Sequence, residues 1–286
     1  MDIIILGVLN GISFGSILFL LGSGLSLILG VMGILNLTHG ALYMIAAYVG
    51  WSLAVQCKLN FGLAVLGGGI AASLLGFVIE RGFLRPLYKQ MNEQVLVTFG
   101  FVHVLTNLTL WVWGTTLRPP YTAPFLSTSI PIMGWSYPVA RLSIILIGLI
   151  LAVVLWWLQE KTRIGAIIRA GMDNKQMTMG LGINVEKVSG IVFLFGAFMA
   201  GFAGVIGAQL LGPHLEMGIE VLLLSLIVVV VGGMGSVQGA LLGGMLIGLI
   251  DAFGKIFFPE MAMFTMYLAM MIILLVRPHG LLGRKE

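Results

Sequence analysis

Residues 36–50 read NLTHGALYMIAAYVG. A long apolar chain stops there for an amide, a hydroxyl, an imidazole and a glycine, then turns apolar again. Asn36 or Thr38 can cap a helix that begins near Ala41, because a side-chain oxygen at a helix start accepts from backbone N–H groups that lack partners. Gly40 lets the backbone turn or pack closely. His39 has two readings. An ionisable side chain within membrane segments is costly and marks function by default. The plainer alternative is that its ring bonds a carbonyl of a neighbouring helix and fixes the break.

The rest of the chain explains why a membrane enters the argument. Of 286 residues, 59 % are hydrophobic and 9 % charged, with a mean hydropathy of +1.09. A soluble domain carries about 25 % charged residues, so this chain cannot cover a water-facing surface. Apolar blocks recur from 3–22 and 24–35 through to 264–276, separated by short polar breaks. Several, such as 221–231, are too short to cross a hydrocarbon layer of about 30 Å alone. The expectation is an all-α polytopic bundle of about eight to ten membrane segments, some broken or re-entrant. The start, MDIIILGVLN, lacks a basic leader and reads as a retained first span. The whole chain, 1–286, reads as one transmembrane domain, and the 40 glycines suit close helix packing in lipid.

Basic residues set the orientation. Stretches 81–94, 159–187 and the tail from Arg277 hold eleven of the 15, including Lys89, Arg284 and Lys285, and these regions should face the cytoplasm. Arg118 and Arg141 run against that pattern. Glu216, Glu220 and Glu260 fall in the opposite loops. The net charge of +4 is too small and scattered to point to nucleic acid, and the single Cys57 allows no intrachain disulfide.

A second break, VVGGMGSVQGALLGGMLIG at 230–248, places Gly235, Gly239 and Gly243 on one helical face, with Gly244 and Gly248 starting another. Gly232 and Gly233 are expected to unwind the chain before it. HGALYMIAAYVG (39–50) echoes QGALLGGMLIGLI (238–250), and paired interrupted segments are a pointer to a transport pathway. Candidate pathway residues are therefore Asn36, Thr38, His39 and Gly40 at one break and Gly232, Gly233, Gly235 and Ser236 at the other, with helix packing as the plainer role for the glycines.

In TRIGAIIRAGMDNKQMTMGLGINVEKV (162–188), Ile164, Ile167, Ile168 and Met172 recur at helical spacing, and Asp173 or Asn174 can cap a second short helix. This is a small helix–turn–helix on the basic side, suited to a membrane surface or a partner's groove. Asp251 and Lys255 are spaced to pair on one helix face, and His103 and Asn107 to bond across helices. No H-E-x-x-H, G-x-S-x-G, Cys/His cluster or G-x-x-x-x-G-K-[ST] occurs, so energy for transport would enter by ion coupling or through another subunit. Asp251 is the only acid well inside an apolar block, which favours an external motor.

Four stretches in this order carry a resemblance along nearly the whole chain: LNGISFGSILFLLGSGLSLILGVMGILNLTHGALYMIAAYVG, ERGFLRPLY, the 162–188 segment with GAFMAGFAGVIGAQ behind it, and VVGGMGSVQGALLGG with the ending RPHGLLG. The chain resembles the H-type permease subunit of the high-affinity branched-chain amino acid ABC transporters. The resemblance implies a second, M-type permease, two cytoplasmic ATPase subunits that use the ATP, and a periplasmic or lipoprotein substrate-binding protein. It also implies residence in the inner membrane of a bacterium or archaeon, with no cofactor and no metal held by this chain. It makes the region of about 160–187 the coupling element, with Arg163, Ile164, Gly165, Ile167, Ile168, Arg169, Ala170, Asp173 and Asn174 as candidate ATPase contacts. The implied cargo is a branched-chain or other small amino acid. Members of that family also carry urea, short amides and aromatic acids, and an ion-coupled carrier working alone is the alternative of another class. The family more often has Asn-Phe-Ala-His-Gly where this chain has Asn36-Leu37-Thr38-His39-Gly40.

Overall fold

The structure is a computed structural model that describes residues 2–88, 90–132 and 134–283; Lys89, Arg284 and Lys285 lie outside the described residues. The order is α1 (Asp2–Met32), α2 (Thr38–Trp51), α3 (Phe61–Ile79), α4 (Met91–Trp113), β1 (Ser129–Ile132), β2 (Trp135–Pro138), α5 (Val139–Lys161), α6 (Arg163–Asp173), α7 (Lys175–Gly180), α8 (Val185–Leu211), α9 (Met217–Gly232), α10 (Val237–Phe257) and α11 (Ala262–Val276). Among the described residues, seven helices are long and apolar enough to cross a membrane, and α9 is a shorter apolar one. The fold is an all-α polytopic bundle, ornamented by the antiparallel β1–β2 hairpin.

The first helix corrects the division of the sequence at residue 23. α1 runs unbroken for 31 residues, about 46 Å. Ser23 donates to its own helix, to the Leu20 carbonyl at 2.9 Å, and does not interrupt it. Gly22 and Gly24 act as contact points: a Cβ on Gly22 would strike Val228 of α9, and one on Gly24 would lie 2.9 Å from the Gly196 carbonyl of α8. Where no water competes for the helical hydrogen bonds, small residues serve packing rather than helix termination.

The α1–α10 seam uses the same chemistry. A Cβ on Gly244 would lie 3.0 Å from the Gly15 carbonyl, and one on Gly15 would lie 2.8 Å from the Gly244 carbonyl. Gly239 and Gly243 face α9 instead, so the two glycine series of α10 serve two different neighbours. α8 is the most enclosed long helix, with 72 % of its apolar window buried, whereas α11, at 11 %, lies at the periphery.

Contacts sort the helix ends into two groups. At the basic end Arg85 pairs with Glu186 at 3.8 Å, Arg169 pairs with Glu160 at 3.5 Å, and Met172 of α6 lies against Gly30 and Gly235. The tail joins this end: the Leu281 N–H donates to the Val231 carbonyl (2.8 Å) and the Leu282 N–H to the Gly232 carbonyl (3.0 Å), satisfying carbonyls that the end of α9 leaves open. At the other end the Arg118 guanidinium lies 5.0 Å from the Trp51 ring and donates to the Trp113 carbonyl, while Arg141 donates to Asn10. The two arginines that run against the charge pattern are thus held by aromatic and amide groups.

Candidate functional site

At the first break the helix begins at Thr38, three residues before the expected Ala41. Asn36 Oδ1 accepts from the Thr38 N–H (3.1 Å) and from its hydroxyl (2.5 Å), so Asn36 holds the turn. Neither residue is the expected cap, because the N-cap position falls on Leu37, which makes no side-chain cap bond, and Thr38 is already helical. His39 is fully buried, and its Nε2 lies 3.0 Å from the Leu21 carbonyl, in the middle of α1. The imidazole therefore makes the inter-helix bond of the plainer reading. Its other ring nitrogen, Nδ1, is buried without a hydrogen-bond partner. Gly40 abuts α9 so closely that a Cβ there would collide with the Gly218 carbonyl.

That contact brings together the starts of two helices, α2 and α9. The break before α9, at 212–216, was read from the sequence as an outer loop with flanking acids. Its last residue, Glu216, is the N-cap position of a helix whose first turn meets Gly40. No periodicity announces this, because Pro213 and the acids that follow have the composition of a solvent loop.

Between α1, α8, α9 and α10 lies a cavity of about 450 Å³. It follows α1 from Asn10 to Leu21, a distance of about 17 Å along the helix. The Leu21 carbonyl that engages His39 belongs to its inner end. Its charged residues are Arg141, Lys255, Asp251 and Glu220, with His214 beside them. Lys255 pairs with Asp251 at 2.6 Å, as the spacing predicts, and Asp251 is nearly buried whereas Lys255 is not. His214 Nε2 lies 3.2 Å from Glu220. Sequence reasoning singled out Asp251, Lys255 and Glu220 one by one, and Arg141 as an exception to the charge pattern, but missed Asn10, Ser13, Tyr43 and His214. The available signal was Asn10 and Ser13, one turn apart in an otherwise apolar span.

The second break lies elsewhere. Gly233 (φ +103°) and Gly235 (φ +78°) carry the chain out of α9, and the Ser236 hydroxyl caps α10 by accepting from the Gly239 N–H at 2.9 Å. Gly232, Gly233, Gly235 and Ser236 sit at the basic end, beside α6 and the tail, away from His39. A separate cavity of about 590 Å³ there is bordered by Gly30, Met172, Asp173, Met234 and His279.

The 162–183 stretch forms the helix pair α6–α7. Thr162 caps α6 by accepting from the Gly165 N–H (3.1 Å), and Asn174 caps α7 by accepting from the Met177 N–H (2.9 Å). The Thr178 hydroxyl donates to the Ala170 carbonyl and ties the pair together (2.8 Å). Gly165 and Ile168 face inward and Ile167, Arg169 and Ala170 are half-buried, while Arg163, Ile164, Asp173 and Asn174 are exposed. Ile164 thus leaves the inward face that its spacing suggested and is exposed, as are Met177, Met179 and Leu181 further along. His103 and Asn107 also depart from expectation: Asn107 donates to the His103 carbonyl within α4, and the His103 ring meets Phe99 edge-on.

Residues 7–275 match the family model described as branched-chain amino acid transport system / permease component. Among curated proteins, the chain is 27 % identical over 294 residues to the high-affinity branched-chain amino acid transport system permease protein LivH of Salmonella typhimurium, covering 97 % of this chain and 94 % of that protein. It is 28 % identical to BraD, the corresponding permease protein of Pseudomonas aeruginosa, covering 97 % and 95 %. Among solved structures, PsaBC from Streptococcus pneumoniae in complex with Fab aligns with a TM-score of 0.52 at 12 % identity, over 93 % of this chain and 89 % of that one, a likeness of fold alone.

Proposed function

This chain belongs to the family of branched-chain amino acid transport system permease components, and we propose that it is the pathway-forming subunit of an ATP-driven importer for branched-chain or other small amino acids. As a multi-pass permease it works within a transport assembly at the inner membrane. In the reading proposed here, a second, M-type permease completes the membrane unit, two cytoplasmic ATPase subunits consume ATP, and a binding protein delivers cargo to the face that carries Arg141 and Lys255. This chain makes and breaks no bonds.

The observation that carries the reading is the family match over 7–275, joined to a basic helix pair that exposes Arg163 together with the apolar Ile164, Met177 and Met179. An ATPase closing against α6–α7 would push on Met172, and through it on Gly30 of α1 and Gly235 before α10. The force would thus reach α1 and α10, two of the helices that border the cavity. The candidate ATPase contacts are Arg163, Ile164, Asp173 and Asn174 on the exposed side, with Gly165, Ile167, Ile168, Arg169 and Ala170 seating the pair on the bundle.

The test is reconstitution of the chain with its neighbouring permease, ATPases and binding protein in liposomes. Uptake of L-leucine should require ATP and every subunit. Uptake by this chain alone under a proton or sodium gradient would overturn the reading in favour of an ion-coupled carrier, for which Glu220 and Asp251 on the cavity are the groups to examine.

A further inference from the structure

We propose that the cavity along α1 is a binding site of this chain's own for the zwitterion of an aliphatic α-amino acid. In this site the substrate carboxylate lies toward Arg141 and Lys255, its ammonium toward Glu220, and its side chain runs inward beside Ile17 and Leu224. The proposal rests on the permease reading and adds the site that reading lacks.

Three observations converge. The first is charge. Two cations, Arg141 and Lys255, and two carboxylates, Glu220 and Asp251, line one cavity, so the lining is neutral overall but carries both signs. A solute with one net charge would leave a lining charge uncompensated, while a zwitterion matches both signs. The groups also have capacity to spare. Arg141 donates to the neutral Asn10 amide, and among the described residues no carboxylate lies within 4.0 Å of it. Among the described residues, Glu220 pairs with the His214 ring, and it is 59 % exposed.

The second observation is an orphan polar atom. Ser13 is 1 % exposed, lines the cavity, and its hydroxyl has no hydrogen-bond partner among the described residues. The neighbouring Ser16 satisfies itself on the Ile12 carbonyl at 2.8 Å. A buried hydroxyl without a partner is uncommon, and a ligand is one of the few things that can supply one. The third is shape. About 450 Å³ falls within the range of small-molecule sites, and the polar groups stand toward Asn10 while Ile17, Leu18 and Leu21 line the inner part. A branched side chain buried there removes apolar surface from water, worth about 25 cal/mol per Å².

A zwitterionic phospholipid shares this chemistry, and the test separates the two. The full importer carrying Leu224→Cys is placed in phosphatidylglycerol vesicles and exposed to methyl methanethiosulfonate, with the native Cys57, exposed and away from the cavity, as the internal reference. Millimolar L-leucine should slow modification of the introduced cysteine at least about tenfold and leave Cys57 unchanged. Isopentylamine, which lacks the carboxylate, and 4-methylpentanoate, which lacks the ammonium, should protect at least tenfold more weakly. In the Glu220→Gln background the advantage of L-leucine over 4-methylpentanoate should vanish, an outcome that a merely structural role for Glu220 would not give. Equal rates with and without L-leucine, equal slowing at Cys57, protection by either analogue equal to that by L-leucine, or an unchanged advantage in Glu220→Gln would each overturn the site. So would protection by added phosphatidylethanolamine that leaves L-leucine without further effect. Uptake by the same vesicles without protection removes the site and leaves the permease reading, whereas protection without ATP-dependent uptake removes the permease reading and leaves the site.

Discussion

The thioether end of Met172, on the basic helix α6, lies against Gly235, where the chain turns from α9 into α10. Gly235 holds φ at +78°, a conformation that side-chain-bearing residues rarely adopt, and a Cβ there would meet the Met172 methyl. Through this contact a push on α6 reaches the start of α10. Met172→Ala leaves a gap at the contact and should lower ATP-dependent uptake about tenfold while ATP hydrolysis by the assembled importer persists. Gly235→Val adds both strain and collision and should lower uptake further. Uptake and hydrolysis measured on one preparation of proteoliposomes check this, and equal losses in the two would instead indicate a failure of assembly.

Gly40 sits where α2 and α9 begin side by side, and the Gly218 carbonyl occupies the place a Cβ would take. Gly40→Ala must drive the two starts apart, an overpacking that costs roughly 1–3 kcal/mol, and Gly40→Leu should cost more. Thermal unfolding of the purified chain in detergent should show a lower midpoint for Gly40→Ala. A control at Gly100, whose Cβ would meet nothing within 4 Å, should leave the midpoint unchanged.

His39 joins α2 to α1 through the Leu21 carbonyl, and both the ring and its neighbourhood are buried. His39→Leu removes the donor to a buried carbonyl and should destabilise the chain by about 1–3 kcal/mol. His39→Gln keeps a side-chain N–H and should recover part of that loss. Denaturant unfolding in detergent, comparing the three side chains, reads the difference directly. Indistinguishable curves for leucine and glutamine would mean that the ring contributes only volume.

What was legible in the sequence was what lies close in sequence. The Asp251–Lys255 pair follows from i, i+4 spacing, the Asn174 cap from residue type next to an apolar run, and the end of α9 at Gly233 from two adjacent glycines, of which Gly232 stays helical. The inter-helix bond of His39 was legible in kind, because a buried imidazole needs a partner, but its partner Leu21 was not. The cavity was not legible, since Asn10, Arg141, His214, Glu220 and Asp251 come from widely separated segments that only tertiary packing brings together. The division of α1 at residue 23 failed for a physical reason: glycine's cost in a helix is chiefly backbone entropy, and in a membrane, where no water competes for the helical hydrogen bonds, those bonds outweigh it. The start of α9 was hidden because a chain that re-enters the protein interior has the composition of a loop.

Tyr88, just past the span Phe61–Leu87, donates its hydroxyl to Glu80, whose carboxylate is almost fully buried. Burial is the main cause, and this bond to Glu80 the next, that holds the phenol well above the ordinary tyrosine range near 10. A group with a raised folded-state pKa contributes stability that is fully present below its unfolded value, and is lost as pH rises from there through the folded value. The contribution of Tyr88 should therefore be constant from neutral pH to about 10 and decline above it. Tyr88→Phe removes the donor and leaves the Glu80 carboxylate short of a partner, a loss of about 1–3 kcal/mol near neutrality. Because lysines and other tyrosines titrate in the same range, the quantity to follow is the difference in unfolding free energy between wild type and Tyr88→Phe. That difference should be flat from pH 7 to about 10 and shrink at higher pH. A difference that grows with pH above 10 would mean that Tyr88 gives up its proton more readily in the folded chain than in the unfolded one, contrary to its burial against Glu80.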